Sequence, residues 1–363
     1  AMTYKTATAT QTSALTTGKG ADTITLGDKD DTVTSSGDGA DTITAGAGND
    51  TISAAGKGAD SITLGTGDDV VTDAGAGNDT ITGGTGNDNV TAGADDDTVT
   101  LGDGDDTGNG GAGNDSITIT GLSTGDTIDG GAGTDSITIT NASAATLIPG
   151  FSNIETAVVK TSTAFTLDQT NATDKTSLKT FTITSSDGTA ADNVTLTKIA
   201  DGSTVTISDD LSWDGASATD TDDTGDVDEL NISTANGGTL TLNMKTNEDA
   251  VTHVGTIVSG GAVTDLTGAA TITITSTNGD TNDVVNDLTA TGLDDTYTRT
   301  VVATANDSAG LDLGNITNSS ALESLTFTSA AGAGSTVGSV IDIEVLSSLS
   351  LSSTGTSSTL TTG

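Results

Sequence analysis

Between Gly18 and Thr140 one apolar residue returns every nine or ten positions, and after eleven once: Ile24, Val33, Ile43, Ile52, Ile62, Val71, Ile81, Val90, Val99, Ile117, Ile128 and Ile137, with a single gap at Gly108. Two residues further on stands a Leu, Ile or Ala in many units, which is the period of a strand. Two residues before each apolar position stands an aspartate, and before that a glycine-rich segment. The units begin at Gly18, Gly27, Gly37, Gly46, Gly56, Gly65, Gly75, Gly84, Gly93, Gly102 and Gly111; a degenerate one covers Leu122–Gly130, and a clean one starts at Gly131. A strand this short buries only one or two side chains, so a unit cannot fold alone. Two units are expected to make one coil of a flattened solenoid, with a glycine turn at each edge and the Ile/Val columns inside. Unit starts at 18, 37, 56 and 75 give a coil of nineteen residues, and those at 75, 93 and 111 give one of eighteen. The extra residues, Ser36, Ala55 and Ala74, recur once per coil and read as small bulges on one edge.

The same stacking lines up carboxylates. One edge gathers Asp22, Asp41, Asp60, Asp79, Asp97 and Asp115; the other gathers Asp31, Asp50, Asp69, Asp88 and Asp106. Asp126 and Asp135 hold the corresponding place in the last two units. Coils stack about 4.8 Å apart, so these columns repel themselves unless a cation intervenes. Ca²⁺ takes six to eight oxygens, and glycine turns offer carbonyls beside the carboxylates. Zinc or copper fits poorly, because the chain has no cysteine and one histidine. The charge balance points the same way: 10 Lys and Arg against 51 Asp and Glu give −41, so compaction needs cations. Such a chain repels nucleic acid and anionic membrane surfaces, and no apolar run is long enough to span a bilayer.

These units resemble the RTX nonapeptide, G-G-x-G-x-D-x-U-x, a repeat of calcium-binding parallel β-rolls. The resemblance covers residues 18–140, after a lead-in over 1–17. It implies an all-β fold that begins as a calcium-binding parallel β-roll, a right-handed β-solenoid holding several Ca²⁺ ions. The ligands it implies are Asp22, Asp31, Asp41, Asp50, Asp60, Asp69, Asp79, Asp88, Asp97, Asp106, Asp115 and Asp135, with turn carbonyls. The chain departs from the pattern where the first glycine of the doublet is missing. It departs again where Ala21, Ala40 and Ala59 stand in places often held by Asn or Asp.

From Asn141 the pattern changes, with Pro149-Gly150 as a joint. Residues 141–363 read as short Thr- and Ser-rich strands separated by acidic loops such as Asp220–Asp228 and Asn278–Asp287. Phe151–Val159, Ser320–Ser329 and Val340–Leu351 share a phrase: an apolar residue, Glu, then alternating apolar residues. The last two lie about one coil apart, which predicts further solenoid; a β-sandwich is the alternative. The flanking phrases and composition resemble bacterial surface-layer proteins of the type I-secreted kind. That resemblance implies an extracellular, cell-surface protein that folds on calcium and self-associates into a two-dimensional lattice. A cell-surface polysaccharide would be held, if at all, through a region outside this chain, which reads as a piece of something longer.

No enzyme is expected. A single histidine, His253, excludes a His-Glu-x-x-His zinc-protease helix, and no G-x-S-x-G elbow is present. Carboxylate pairs are too common to mark an acid–base couple, and Trp213 reads as packing. Two other readings stand beside the surface layer: a calcium-stiffened stalk of a large RTX adhesin, and the RTX carrier module of a secreted enzyme. Aromatics at 2% disfavour a sugar-binding tip, where ring faces are expected.

Overall fold

A computed structural model describes residues 3–5, 14–35, 37–53, 56–140, 146–147, 150–161, 165–168, 177–185, 194–200, 202–207, 230–234, 239–246, 253–254, 257–259, 270–278, 286–288, 298–306, 311–312, 316–317, 323–329, 335–337, 340–341, 347–353 and 358–360. Trp213, Ser36, Ala55 and the Asp220–Asp228 loop lie outside these residues. All described regular structure is strand, and all described strand pairing is parallel. The chain divides into two units, the first formed by residues 1–143, 149–158 and 171–177 and the second by the remainder.

In the first unit the chain alternates between two parallel sheets. One sheet stacks Thr3–Lys5, Thr23–Thr25, Thr42–Ala47, Ser61–Thr66, Thr80–Thr85, Thr98–Leu101, Ser116–Thr120 and Ser136–Thr140. The nine-stranded second sheet runs from Ala14–Thr16 to Gly150–Ser152. Registers are in phase, so like stacks on like: Ile43 pairs with Ile62, Ile62 with Ile81, and Ile81 with Val99. Opposite them stand Val33, Ile52, Val71, Val90 and Ile128, all fully buried. A second inward position carries Leu26, Ala45, Leu64, Ala74, Ala92, Leu101, Ile119 and Ile139, each at most 5% exposed. That explains the missing first glycine of the doublet: in these units its place faces the core. In this unit the apolar burial comes from one Ile/Val column on each sheet, with Leu, Ile or Ala behind it at the second inward position.

The second glycine of the doublet cannot vary in this way. Gly84 has φ +118, and a Cβ there would run into the carbonyl oxygen of Gly65, one coil earlier. The backbones approach so closely that only glycine fits.

The expected bulges are present in the second sheet. Ile52 pairs with Val71 but Ser53 with Asp73, and Leu15 pairs with Val33 but Thr16 with Ser35. The extra residue is thus absorbed at Thr72 and Thr34, just ahead of the turn. Ala74, the described member of the predicted trio, is fully buried behind its bulge. Register is regained at once, since Gly75 pairs with Gly93.

The second unit is also built of parallel ladders. One runs through Phe165–Asp168, Val194–Ile199, Leu230–Thr234 and Ile257–Ser259; another through Thr180–Ser185, Ser203–Ile207, Thr239–Thr246, Ala270–Asn278, Thr298–Asn306, Ser324–Ser329 and Ser348–Ser353. Parallel pairing throughout is the mark of a solenoid and rejects the sandwich, whose sheets are antiparallel. Leu325 pairs with Leu349 and Phe327 with Leu351, twenty-four residues apart. The Glu323 carbonyl accepts from the Ser347 N–H at 2.9 Å just ahead of this register, while Glu344, the acid of the last phrase, lies outside the described residues.

Candidate metal centre

Each turn delivers its aspartate just before a strand, where the backbone carbonyl is already committed. The Asp60 carbonyl accepts from the Thr80 N–H at 2.8 Å, and the Asp69 carbonyl from the Asn89 N–H at 2.8 Å. The strand therefore holds the aspartate Cα rigidly, and the side chain turns along the coil edge. There it accepts the backbone N–H of the aspartate one coil earlier. On the first edge Asp22 donates to Asp41 Oδ1 at 2.7 Å, Asp41 to Asp60 at 2.7 Å, and Asp60 to Asp79 at 2.7 Å. The chain continues from Asp79 to Asp97 at 2.8 Å, from Asp97 to Asp115 at 2.8 Å, and from Asp115 to Asp135 at 2.7 Å. On the second edge Asp31 donates to Asp50, Asp50 to Asp69, Asp69 to Asp88, Asp88 to Asp106, and Asp106 to Asp126, at 2.7–3.0 Å. All of the predicted site residues therefore fall in two columns, divided as their spacing requires. Asp135 joins the first edge and Asp126 the second.

Every one of these aspartates is at most 2% exposed. In Asp41, Asp50, Asp60, Asp69, Asp79, Asp88, Asp97, Asp106, Asp115 and Asp135 the Oδ2 atom is buried and takes no hydrogen bond among the described residues. A buried, unsatisfied carboxylate oxygen is costly. Burial accordingly drives the carboxyls up: Asp60, Asp88 and Asp97 to about 7, and Asp50, Asp79 and Asp106 to about 6. Burial is the largest cause in each case; the ladder N–H works against it, and carboxylates in neighbouring coils add to it. Asp31 and Asp126 differ, because the Gly27 N–H reaches Asp31 Oδ2 at 3.2 Å and the Ser123 N–H reaches Asp126 Oδ2 at 2.7 Å.

Backbone oxygens share the space with these atoms. A methyl group at Gly110 would stand 2.6 Å from the Gly130 carbonyl oxygen and against Asp115 Oδ2. Among the described residues no three His, Cys, Asp or Glu side chains converge as one group. An ion at the edge would be shared by carboxylates of successive coils and turn carbonyls, an all-oxygen set that fits a hard divalent cation.

Outside the inner columns runs a second ladder. Asn49 donates to Asp30 Oδ1 at 2.9 Å, Asp68 to Asn49 at 3.0 Å, Asn87 to Asp68 at 2.8 Å, and Asp105 to Asn87 at 2.8 Å. On the other edge, among the described residues, such a ladder links Asn114 to Asp96 Oδ1 and Thr134 to Asn114 Oδ1, each backbone N–H donating. Its earlier coils carry Ala21, Ala40 and Ala59 at that place, yet Asp41 and Asp60 keep their inner positions. The alanines remove the outer ladder and leave the inner one intact.

The first column does not stop at the last aspartate. The Asp135 N–H donates to Glu155 Oε2 at 2.7 Å. Glu155 belongs to the apolar-Glu phrase and had no assigned role in the repeat reading. Phase counting misses it because its turn is shorter, although the phrase itself was the visible signal.

A parallel β-roll with two buried oxygen-lined columns defines a repeat solenoid whose edges take hard cations. The RTX calcium-binding nonapeptide repeat family matches this chain in four copies, over residues 15–36, 54–72, 73–108 and 82–117. The matched repeats bind calcium ions, in multiple copies. No curated protein matches the chain. No solved structure matches it either.

Proposed function

We propose that this is a structural, non-catalytic protein of a bacterial surface layer, exported by type I secretion and folded outside the cell by calcium held in the two aspartate columns. The folded protein then self-associates into a two-dimensional lattice. The observation that carries the reading is the pairing of a buried carboxylate array, most of its members with an Oδ2 that takes no hydrogen bond among the described residues, with a second unit made of parallel Thr- and Ser-rich ladders. The first makes order conditional on calcium. The second supplies extended strand surface, which suits assembly. Extracellular calcium modules bind at about 10⁻⁴–10⁻³ M, so folding waits for export. The stacked parallel coils of the described residues also suit the stalk of a calcium-stiffened adhesin, which is the second reading.

The two readings part on assembly. Light scattering and electron microscopy across a calcium series should show a folding transition, then a second transition to ordered sheets at higher calcium. Folded protein that stays as isolated particles at high concentration and saturating calcium overturns the lattice and favours the stalk.

A further inference from the structure

The end of the first column repeats the geometry of the coil before it, but with different residues. At Gly110 the glycine leaves open a space bordered by Asp115 Oδ2 and by the Gly130 carbonyl of the next coil. At Gly130 a methyl group would stand 2.7 Å from Asp135 Oδ2 and against the carbonyl oxygen of Asn153. Asn153 thus presents its carbonyl where a turn glycine does so one coil earlier. It manages this in the left-handed region, at φ +50, with its side-chain amide donating to Asp129 Oδ1 at 2.7 Å.

The turn that follows is short. The strand register sets Ile128 beside Phe151 and Asp129 beside Ser152, so Gly130 corresponds to Asn153. Gly130 is five residues before Asp135, whereas Asn153 is two before Glu155. The glycine loop is deleted, and the Glu155 and Thr156 N–H groups close onto the Asp135 carbonyl at 3.1 and 3.2 Å. A glutamate then stands in the ladder place of the aspartates, and its Oε2 accepts the Asp135 N–H as they do. Ile154 and Phe151 are buried beside it, at 1% and 3% exposure. Asp135 is itself 1% exposed, and its Oδ2 takes no hydrogen bond among the described residues.

We propose that Glu155, the Asn153 carbonyl and Asp135 Oδ2 form a further Ca²⁺ site, one that closes the roll without a nonapeptide turn. The donors are all oxygen, two of them carboxylates from successive coils, as in the repeat sites. The inference rests on calcium binding along the aspartate columns and not on lattice formation. Its site lies beyond the residues that the repeat family matches.

Native mass spectrometry of the full chain at saturating calcium tests it by counting ions. Glu155→Gln is nearly isosteric and keeps an acceptor for the Asp135 N–H. It should bind one Ca²⁺ fewer than the unaltered chain, while Glu323→Gln should bind the same number. An unchanged count in folded Glu155→Gln overturns the site while leaving the repeat sites standing; an unaltered chain that binds no calcium removes the columns themselves. If Glu155→Gln fails to reach the calcium-saturated β-sheet dichroism, Glu155→Asp takes its place. That variant keeps the charge but draws it back by one methylene, so the last-filled ion should bind several-fold more weakly. Unaltered binding of that ion overturns the proposal.

Discussion

At the scale of one residue, the roll places a carboxylate where it is worst served without metal. Asp97 is 2% exposed and its carboxyl is pushed up to about 7: burial comes first, the Asp79 N–H offsets part of it, and the charges of Asp79, Asp115 and Asp95 add to it. A folded pKa above the ordinary value of about 4 means that the folded state holds protons more tightly than the unfolded one. The stabilisation is complete below about pH 4 and is lost as pH rises through about 6–7, the range of Asp50, Asp60, Asp79, Asp88, Asp97 and Asp106. The metal-free roll should therefore be most stable in mild acid and lose structure on the way to neutral pH. Calcium acts in the opposite sense, since its ligands must be deprotonated and binding at about pH 6 should release protons. Far-ultraviolet dichroism with chelator from pH 4 to 8 checks the first point; a roll that gains structure towards pH 8 without calcium contradicts it. The columns were legible in the sequence because period alone sets them, and every aspartate but Asp106 sits two residues before an Ile or Val. Glu155 was not legible that way. Its turn drops the glycine loop, so its place in the ladder depends on the strand register, which no repeat count supplies.

At the scale of the element, the register makes each position a column, and the odd member of a column reveals the packing. Gly108 interrupts the second-sheet aliphatics between Val90 and Ile128. The interruption looks like a weakened coil when only its own unit is considered. In three dimensions the space is taken from the side: an added Cβ would lie 2.9 Å from Leu101 Cδ1 and 3.2 Å from Ile128 Cδ1. Leu101 crosses from the opposite sheet to fill what Gly108 lacks. Gly108→Ala should then be close to neutral, as the backbone gain of about 0.5–1 kcal/mol offsets a small shift of two flexible side-chain ends. Gly108→Val should overpack and cost about 1–3 kcal/mol. Calcium-saturated denaturant unfolding measures both, and a stabilising valine would show that the site holds a void. Such compensation is invisible in sequence because it couples residues of opposite sheets. The bulges were visible, because Ser36, Ala55 and Ala74 lengthen the coil by one residue each time. Where the bulge falls, at Thr34 and Thr72, took the strand pairing to locate.

At the scale of the whole molecule, a charge of −41 raises the question of which of its consequences salt can relieve. Monovalent salt screens exposed charges over a Debye length of ~8–10 Å at physiological strength, and hardly reaches buried ones. The ladder aspartates are at most 2% exposed, and in Asp41, Asp50, Asp60, Asp69, Asp79, Asp88, Asp97, Asp106, Asp115 and Asp135 the second oxygen needs a partner at bonding distance. Screening cannot supply that partner; a cation with several oxygen ligands can. Magnesium is a poor substitute, because it holds a rigid octahedron at about 2.0–2.1 Å and gives up its waters reluctantly. The chain should therefore remain without its roll in chelator at ~0.5 M sodium chloride, gain little from millimolar magnesium, and fold in millimolar calcium at either ionic strength. Near-complete recovery of the β-sheet signal in sodium chloride alone would mean that diffuse repulsion, and not the unsatisfied ladder oxygens, keeps the metal-free chain open. Salt should act instead on encounters between folded molecules, where the exposed outer ladder of Asp30, Asp68 and Asp105 meets solvent. The calcium needed for folding and the calcium needed for assembly should thus separate further or converge as ionic strength changes, with the folding midpoint as the steadier of the two.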